Sequence, residues 1–183
     1  MTTALWVLGR GSGVVSLVLL SIVVALGIAT RSGRAIPGLP RFAVTALHRS
    51  ASLLSVVFLA VHVLTLVLDP YAGLTWLSLI VPFTAAAHPV AYGLGTVALD
   101  LVGALVATSL LRHRLSPRVW RGIHLLAYAA WPIALVHGVV AGTDGTSAWM
   151  LALTGACVAA VGAAFAWRRS RSFAEIPTPE LVS

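Results

Sequence analysis

Long stretches in which almost every position is apolar alternate with short stretches that collect arginine, proline and glycine. Five apolar runs, at approximately 5–29, 42–68, 91–111, 119–141 and 147–167, each reach the ~20 residues that a helix rising 1.5 Å per residue needs to cross a hydrocarbon core. The expected fold class is all-α integral membrane, a five-helix transmembrane bundle. The first run is longer than the apolar part of a signal peptide and no small-residue cleavage site follows it, so it reads as a retained helix. Between the second and third runs, "PYAGLTWLSLIVPFTAAAHP" is apolar but short and broken by Pro82. It is expected to lie on or dip into the membrane surface as a lid.

Composition agrees: 59% of residues are hydrophobic and 9% charged, against about 25% charged in a soluble domain. Every basic residue is an arginine, a bias that suggests a GC-rich bacterial genome and hence a bacterial cytoplasmic membrane. The net charge of +7 could suggest nucleic acid, but the arginines collect at the ends of apolar runs, so no nucleic-acid partner is expected. Cys157, the single cysteine, cannot form an intramolecular disulfide.

Loop charges set an expected orientation, because arginine is retained on the cytoplasmic side. Arg31, Arg34 and Arg41 follow the first run, Arg112, Arg114, Arg118 and Arg121 separate the third from the fourth, and Arg168, Arg169 and Arg171 follow the fifth. Asp69 and Asp144 fall on the opposite side, with Arg10 the basic exception. The N-terminus is thus expected outside and the C-terminus in the cytoplasm, with one membrane domain over 1–171 and a short tail over 172–183.

The chemistry lies in the histidines. His48 and His62 are fourteen residues apart in the second run, and His124 and His137 thirteen apart in the fourth. Both runs cross in the same direction, so the histidines fall into two layers about 20 Å apart, each offering two imidazoles from facing helices. That is what a bis-histidine haem requires, one nitrogen on each axial face of the iron. Fourteen residues is close to four turns, which puts His48 and His62 on one face. Thirteen is not, and Pro132 is expected to kink the fourth helix and re-aim His137. Another metal, a proton path or structural hydrogen bonding are the competing uses of histidines at membrane depth.

These spacings, "LHR" at 47–49 and the block "ATSLLRHRLSPRVWRGIHLLAYAAWPIALVHG" resemble the ferric reductase-like transmembrane family, which includes the membrane domain of NADPH oxidases and the haem subunit of a bacterial methionine sulfoxide reductase system. The resemblance runs over roughly 5–167. It implies two b haems passing electrons across the membrane, held here by His48 with His124 and by His62 with His137. No flavin or nicotinamide domain like that of the oxidases is read here, so a separate flavoprotein or quinol is the expected donor, and ferric iron, oxygen or a periplasmic redox protein the acceptor. Self-sufficient ferric reduction is a competing enzyme reading. A membrane scaffold, or a transporter moving protons or metal on its histidines, is the non-redox alternative.

Other polar positions have two uses each. Arg49 and Arg10 lie within apolar runs, one near each layer, where a guanidinium can bind haem propionates or extend to the interface. Asp100 sits mid-membrane in the third run, as a structural anchor or a proton-linked group. His88 and His113 read as solvated. "GLGTVA" at 93–98 matches a dinucleotide fingerprint but opens a membrane helix, so close helix packing is the better use of its glycines. Trp6, Trp76, Trp131 and Trp149 serve as interface anchors or pack against porphyrin.

Overall fold

The computed structural model describes residues 3–32, 39–170 and 173; Arg34, Arg171 and, Phe173 apart, the tail expected over 172–183 with Pro177 and Pro179 lie outside the described residues. Seven α-helices occur among them: α1 (Thr3–Thr30), α2 (Arg41–Leu68), α3 (Trp76–Ile80), α4 (Pro89–Leu110), α5 (Pro117–His124), α6 (Ala127–Val140) and α7 (Ala148–Arg169). Five spans are long and apolar enough to cross a membrane, with α5 and α6 together making the fourth. Prolines mark the starts: Pro40 precedes α2 in an extended conformation, and Pro89 and Pro117 open α4 and α5, where a missing N–H costs nothing. Ser116 caps α5 by accepting from the Val119 N–H at 3.3 Å.

Helix α1 is the scaffold, packing against α2, α6 and α7. Lipid gives helices no hydrophobic reason to associate, so close approach and interhelical hydrogen bonds decide the contacts. The α1–α2 seam accordingly carries small hydroxyl residues, and Ser16 Oγ donates to the Ser55 carbonyl at 3.2 Å. Toward the arginine-rich end, Val24, Ile28 and Val161 form a buried cluster closed by Tyr128, Trp131 and Phe165. Trp131 Nε1 donates to Ser21 Oγ at 2.9 Å, which makes it a core tryptophan, whereas Trp76 and Trp149 are exposed. Helix α4 packs chiefly on α6, and α2 chiefly on α1. Consequently α2 and the α5–α6 span face one another without comparable helix-to-helix packing.

Helix α6 continues through Pro132, and a departure from regular helix lies earlier in the span, at Leu125–Leu126, where Leu126, Tyr128 and Ala129 donate to carbonyls three residues back at 2.9–3.0 Å. Thirteen residues at about 100° each stop roughly 140° short of a whole number of turns, and every residue wound as a 3₁₀ turn recovers about 20°. Overwinding at this turn therefore works toward bringing His124 and His137 to the same side.

The segment expected as a lid caps one end of the bundle. Asp69 accepts from the Tyr71 N–H at 3.1 Å, Gly73 takes a left-handed φ of 61°, and Thr75 and Ser78 form a reciprocal capping box at the start of α3. Helix α3 stops before Pro82, the residue that disfavours helix at its predecessor. Thr96 Oγ then donates to the Ser78 carbonyl at 2.7 Å, and Phe83, at φ 66°, lies over Gly93 so closely that an added Cβ would fall 2.2 Å from its ring.

Candidate functional site

The four membrane histidines meet in pairs across the gap between α2 and α5–α6. At the arginine-rich end the ring centres of His48 and His124 are 6.4 Å apart with planes at 70°; at the lid end those of His62 and His137 are 6.3 Å apart at 76°. Neither pair is in direct hydrogen-bonding contact.

Three of the four rings are fixed in the same way. His62 Nδ1 donates to the Gly9 carbonyl at 2.7 Å, His48 Nδ1 to the Val23 carbonyl at 3.0 Å and His137 Nδ1 to the Ala91 carbonyl at 2.8 Å. A carbonyl only accepts, so Nδ1 carries the proton, and a neutral ring is left with its lone pair on Nε2. Four residues beyond each carbonyl stands a glycine: Gly13, Gly27 and Gly95. An ideal Cβ would come within 2.8 Å of His62 at Gly13, 3.3 Å of His48 at Gly27 and 2.6 Å of His137 at Gly95. The physical reason is steric. A Cβ one turn along a helix would obstruct the side of the carbonyl that a second acceptor lone pair serves, and glycine leaves it open to the imidazole. The glycines of "GLGTVA" thus do serve close packing, Gly93 beneath Phe83 and Gly95 beneath His137.

His124 is the exception. Its Nδ1 is buried without a partner among the described residues, and its ring instead stacks on Trp120, one turn earlier on α5, with centres 4.9 Å apart and planes at 22°. Trp120 was not among the residues that the sequence suggested, although aromatic neighbours at i and i+4 on a helix were there to be noticed.

The lid-end pair lines a cavity of about 440 Å³ that α1, α2, α4 and α6 enclose and the lid residues Tyr71, Leu74 and Leu79 cover. Asp69, although at a helix end, is buried at its edge. Arg10 reaches the same cavity and forms an ion pair with Asp144 in the α6–α7 loop. Gly142 makes room for that guanidinium, since a Cβ there would overlap it. Arg49 follows His48 on α2 with its side chain exposed, and it makes no ion pair among the described residues. Asp100 is exposed on α4 and likewise makes no ion pair among the described residues. His88 caps α4 at φ 47°, exposed beside Tyr92, and His113 is exposed in the short turn after α4. Cys157 is free and buried on α7.

Two tests bear on whether a haem fits these pairs. A metal–imidazole bond of about 2.0 Å, with the ring centre about 1.1 Å beyond the nitrogen, separates the centres of two opposed rings by about 6.2 Å. The observed 6.3 and 6.4 Å leave room for one metal atom between each pair. Among the described residues no three metal-ligating side chains converge, so each place offers two protein ligands. Two imidazoles under-coordinate a bare ion but complete one whose other ligands come from a porphyrin. The residues present fit the group.

Fold and site define a helical membrane protein with two pairs of facing imidazoles, one toward each end of the bundle. The chain belongs to the ferric reductase like transmembrane component family, whose match covers residues 12–135, including His48, His62 and His124. Comparison with curated proteins and comparison with solved structures each found no match.

Proposed function

We propose that this protein carries electrons across a bacterial cytoplasmic membrane through two b haems, one held by His48 and His124 and the other by His62 and His137. The observation that carries the reading is the repeated pair: two imidazoles 6.3–6.4 Å apart, with Nδ1 tethered on three of the four rings and Nε2 left to ligate. Membership of the ferric reductase-like family supports it. A bound haem supplies a one-electron couple at its iron. The chain's part is to hold the ligands rigidly, so that little rearrangement accompanies a change of charge, and to keep the pairs away from water. Tethering to backbone carbonyls serves rigidity, because main-chain oxygens of packed helices have nowhere to move. The lid over the His62–His137 cavity serves exclusion.

Arg49 and Arg10 are assigned to haem propionates, with Arg10 sharing its guanidinium between a propionate and Asp144. The arginine-rich end faces the cytoplasm and receives electrons from an acidic flavoprotein or from quinol, making the chain an oxidoreductase component. The lid end faces outward and delivers to ferric iron, oxygen or a periplasmic redox protein. The deciding experiment is haem quantification on the purified protein and on His62→Leu, His137→Leu and His88→Leu. Two low-spin haems are expected in the parent, one in each of the first two variants and two in the last. No haem in protein from haem-supplied cells would refute the reading, and two haems retained in both His62→Leu and His137→Leu would refute the pairing.

A further inference from the structure

Of the four imidazoles, His62, His48 and His137 each rest on a carbonyl with a glycine one turn beyond it, and His124 does not. The backbone offers His124 little in return. Helix α5 ends at that residue, and the overwound turn begins immediately after it. What holds the ring is Trp120, stacked against it at 4.9 Å and 22°. Trp120 is only partly exposed, and its Nε1, like His124 Nδ1, is buried with no acceptor among the described residues. Neither ring is therefore fixed by a hydrogen bond among the described residues, and the shared face is the contact that orients the imidazole. Ser116 and Pro117 fix the start of α5, so the stack is carried on a helix anchored at the end away from His124.

We infer that Trp120 is the positioning residue of the arginine-end pair, its indole face doing for His124 what a carbonyl does for each of the other three. Two consequences separate this role from general packing. An imidazole whose Nδ1–H has no acceptor is a weaker electron donor than one that is hydrogen-bonded, so the oxidised metal is less stabilised on this face and the couple sits higher than a carbonyl tether would set it. A ring held by a face alone can also turn about its own axis more freely than one held by a directional hydrogen bond. Removing the face releases that rotation and changes the angle between the two imidazole planes, 70° here, to which the low-spin electron paramagnetic resonance signal responds.

The inference rests on the haem reading, and its test is arranged so that the two fail differently. Trp120→Leu and Trp120→Phe are prepared in the full chain, each alone and combined with His137→Leu, which leaves the arginine-end haem as the one observed. With leucine, the low-spin signal and the midpoint potential of that haem are expected to shift, and its loss to apomyoglobin to accelerate about 2- to 12-fold, the range expected for one aromatic stack. With phenylalanine, which keeps a ring face and removes the indole N–H, all three readouts are expected to return toward the parent. The lid-end haem, unchanged in both single variants, reports that the chain is folded. Unaltered signal, potential and loss rate in Trp120→Leu would overturn the inference. So would failure of phenylalanine to restore them, which would assign the effect to the N–H, and so would loss of both haems, which would make Trp120 a general packing residue. Absence of haem from the parent protein would instead refute the proposed function itself.

Discussion

Gly95 tests how tightly the lid-end pair is specified. A methyl group added there would sit 2.6 Å from Cε1, 2.8 Å from Nδ1 and 3.0 Å from Nε2 of His137, where ordinary contact begins at 3.4 Å. The ring must therefore retreat by about 0.8 Å, the difference between 3.4 and 2.6 Å. It cannot retreat freely, because its Nδ1–H is held at 2.8 Å by the Ala91 carbonyl. Overpacking of this kind costs about 1–3 kcal/mol, which weakens retention of whatever the ring ligates by roughly 5- to 150-fold. Gly95→Ala is expected to purify with its arginine-end haem intact and its lid-end haem depleted. Gly103→Ala on the same helix, where an added Cβ meets nothing within 4 Å, is expected to keep both. Haem content and loss rate for the two variants decide the matter. Full retention of both haems at the parent's rate in Gly95→Ala would refute the argument that glycine is there to seat the imidazole.

Two further outcomes follow from the charged residues. Asp144→Asn leaves the Arg10 guanidinium half-buried without its ion partner and is expected to lower stability in detergent by about 1–3 kcal/mol, between the values for exposed and fully buried pairs. The loss should fall in thermal unfolding followed at the lid-end haem, and an unchanged unfolding temperature would show that Arg10 is held by something else. Arg49→Ala is expected to lower the potential of the arginine-end haem, since removing a nearby cation favours the more positive, oxidised centre. A redox titration in which only the lid-end haem moved would contradict that assignment.

The spans and the common face of His48 and His62 were legible in the sequence because they depend on counting alone. Membrane helices must be continuous and apolar for about 20 residues, so their limits are written in composition. Fourteen residues between His48 and His62 fixes their common face whatever surrounds them. The fourth span was harder. Pro132 is conspicuous in the sequence, but the 3₁₀ turn at Leu125–Leu126 is not, because no residue type signals it. Arg10 was legible as a charge near one layer, yet its partnership with Asp144 joins residues far apart in the chain and depends on Gly142 leaving space.

The supports of the imidazoles were also written in the chain, in a register that histidine spacing alone predicts once α1 is seen as the scaffold. Helices α1 and α2 are neighbours, and two rings fourteen residues apart on α2 need two supports fourteen residues apart on α1. The supports obey this twice: Gly9 and Val23 give the carbonyls, and Gly13 and Gly27 give the open space, each couple separated by the same fourteen positions. Ala91 and Gly95 repeat the unit on α4 for His137. Glycines in membrane helices invite explanation as helix-packing residues, and that explanation hides a finer constraint. What Gly13 and Gly95 exclude is a Cβ one turn beyond a particular carbonyl, so alanine, the usual tolerated substitute in a small-residue seam, is the substitution they should resist, whereas at Gly27 a Cβ 3.3 Å from His48 is only a tight contact. Gly11, two residues from Gly13 on the same helix, faces open space and carries no such requirement. The roles of Gly13 and Gly27 on α1 are therefore set by their distance from a carbonyl that a histidine uses, whereas Gly9, whose Cβ would meet Thr65 at 3.2 Å, serves close packing of α1 on α2.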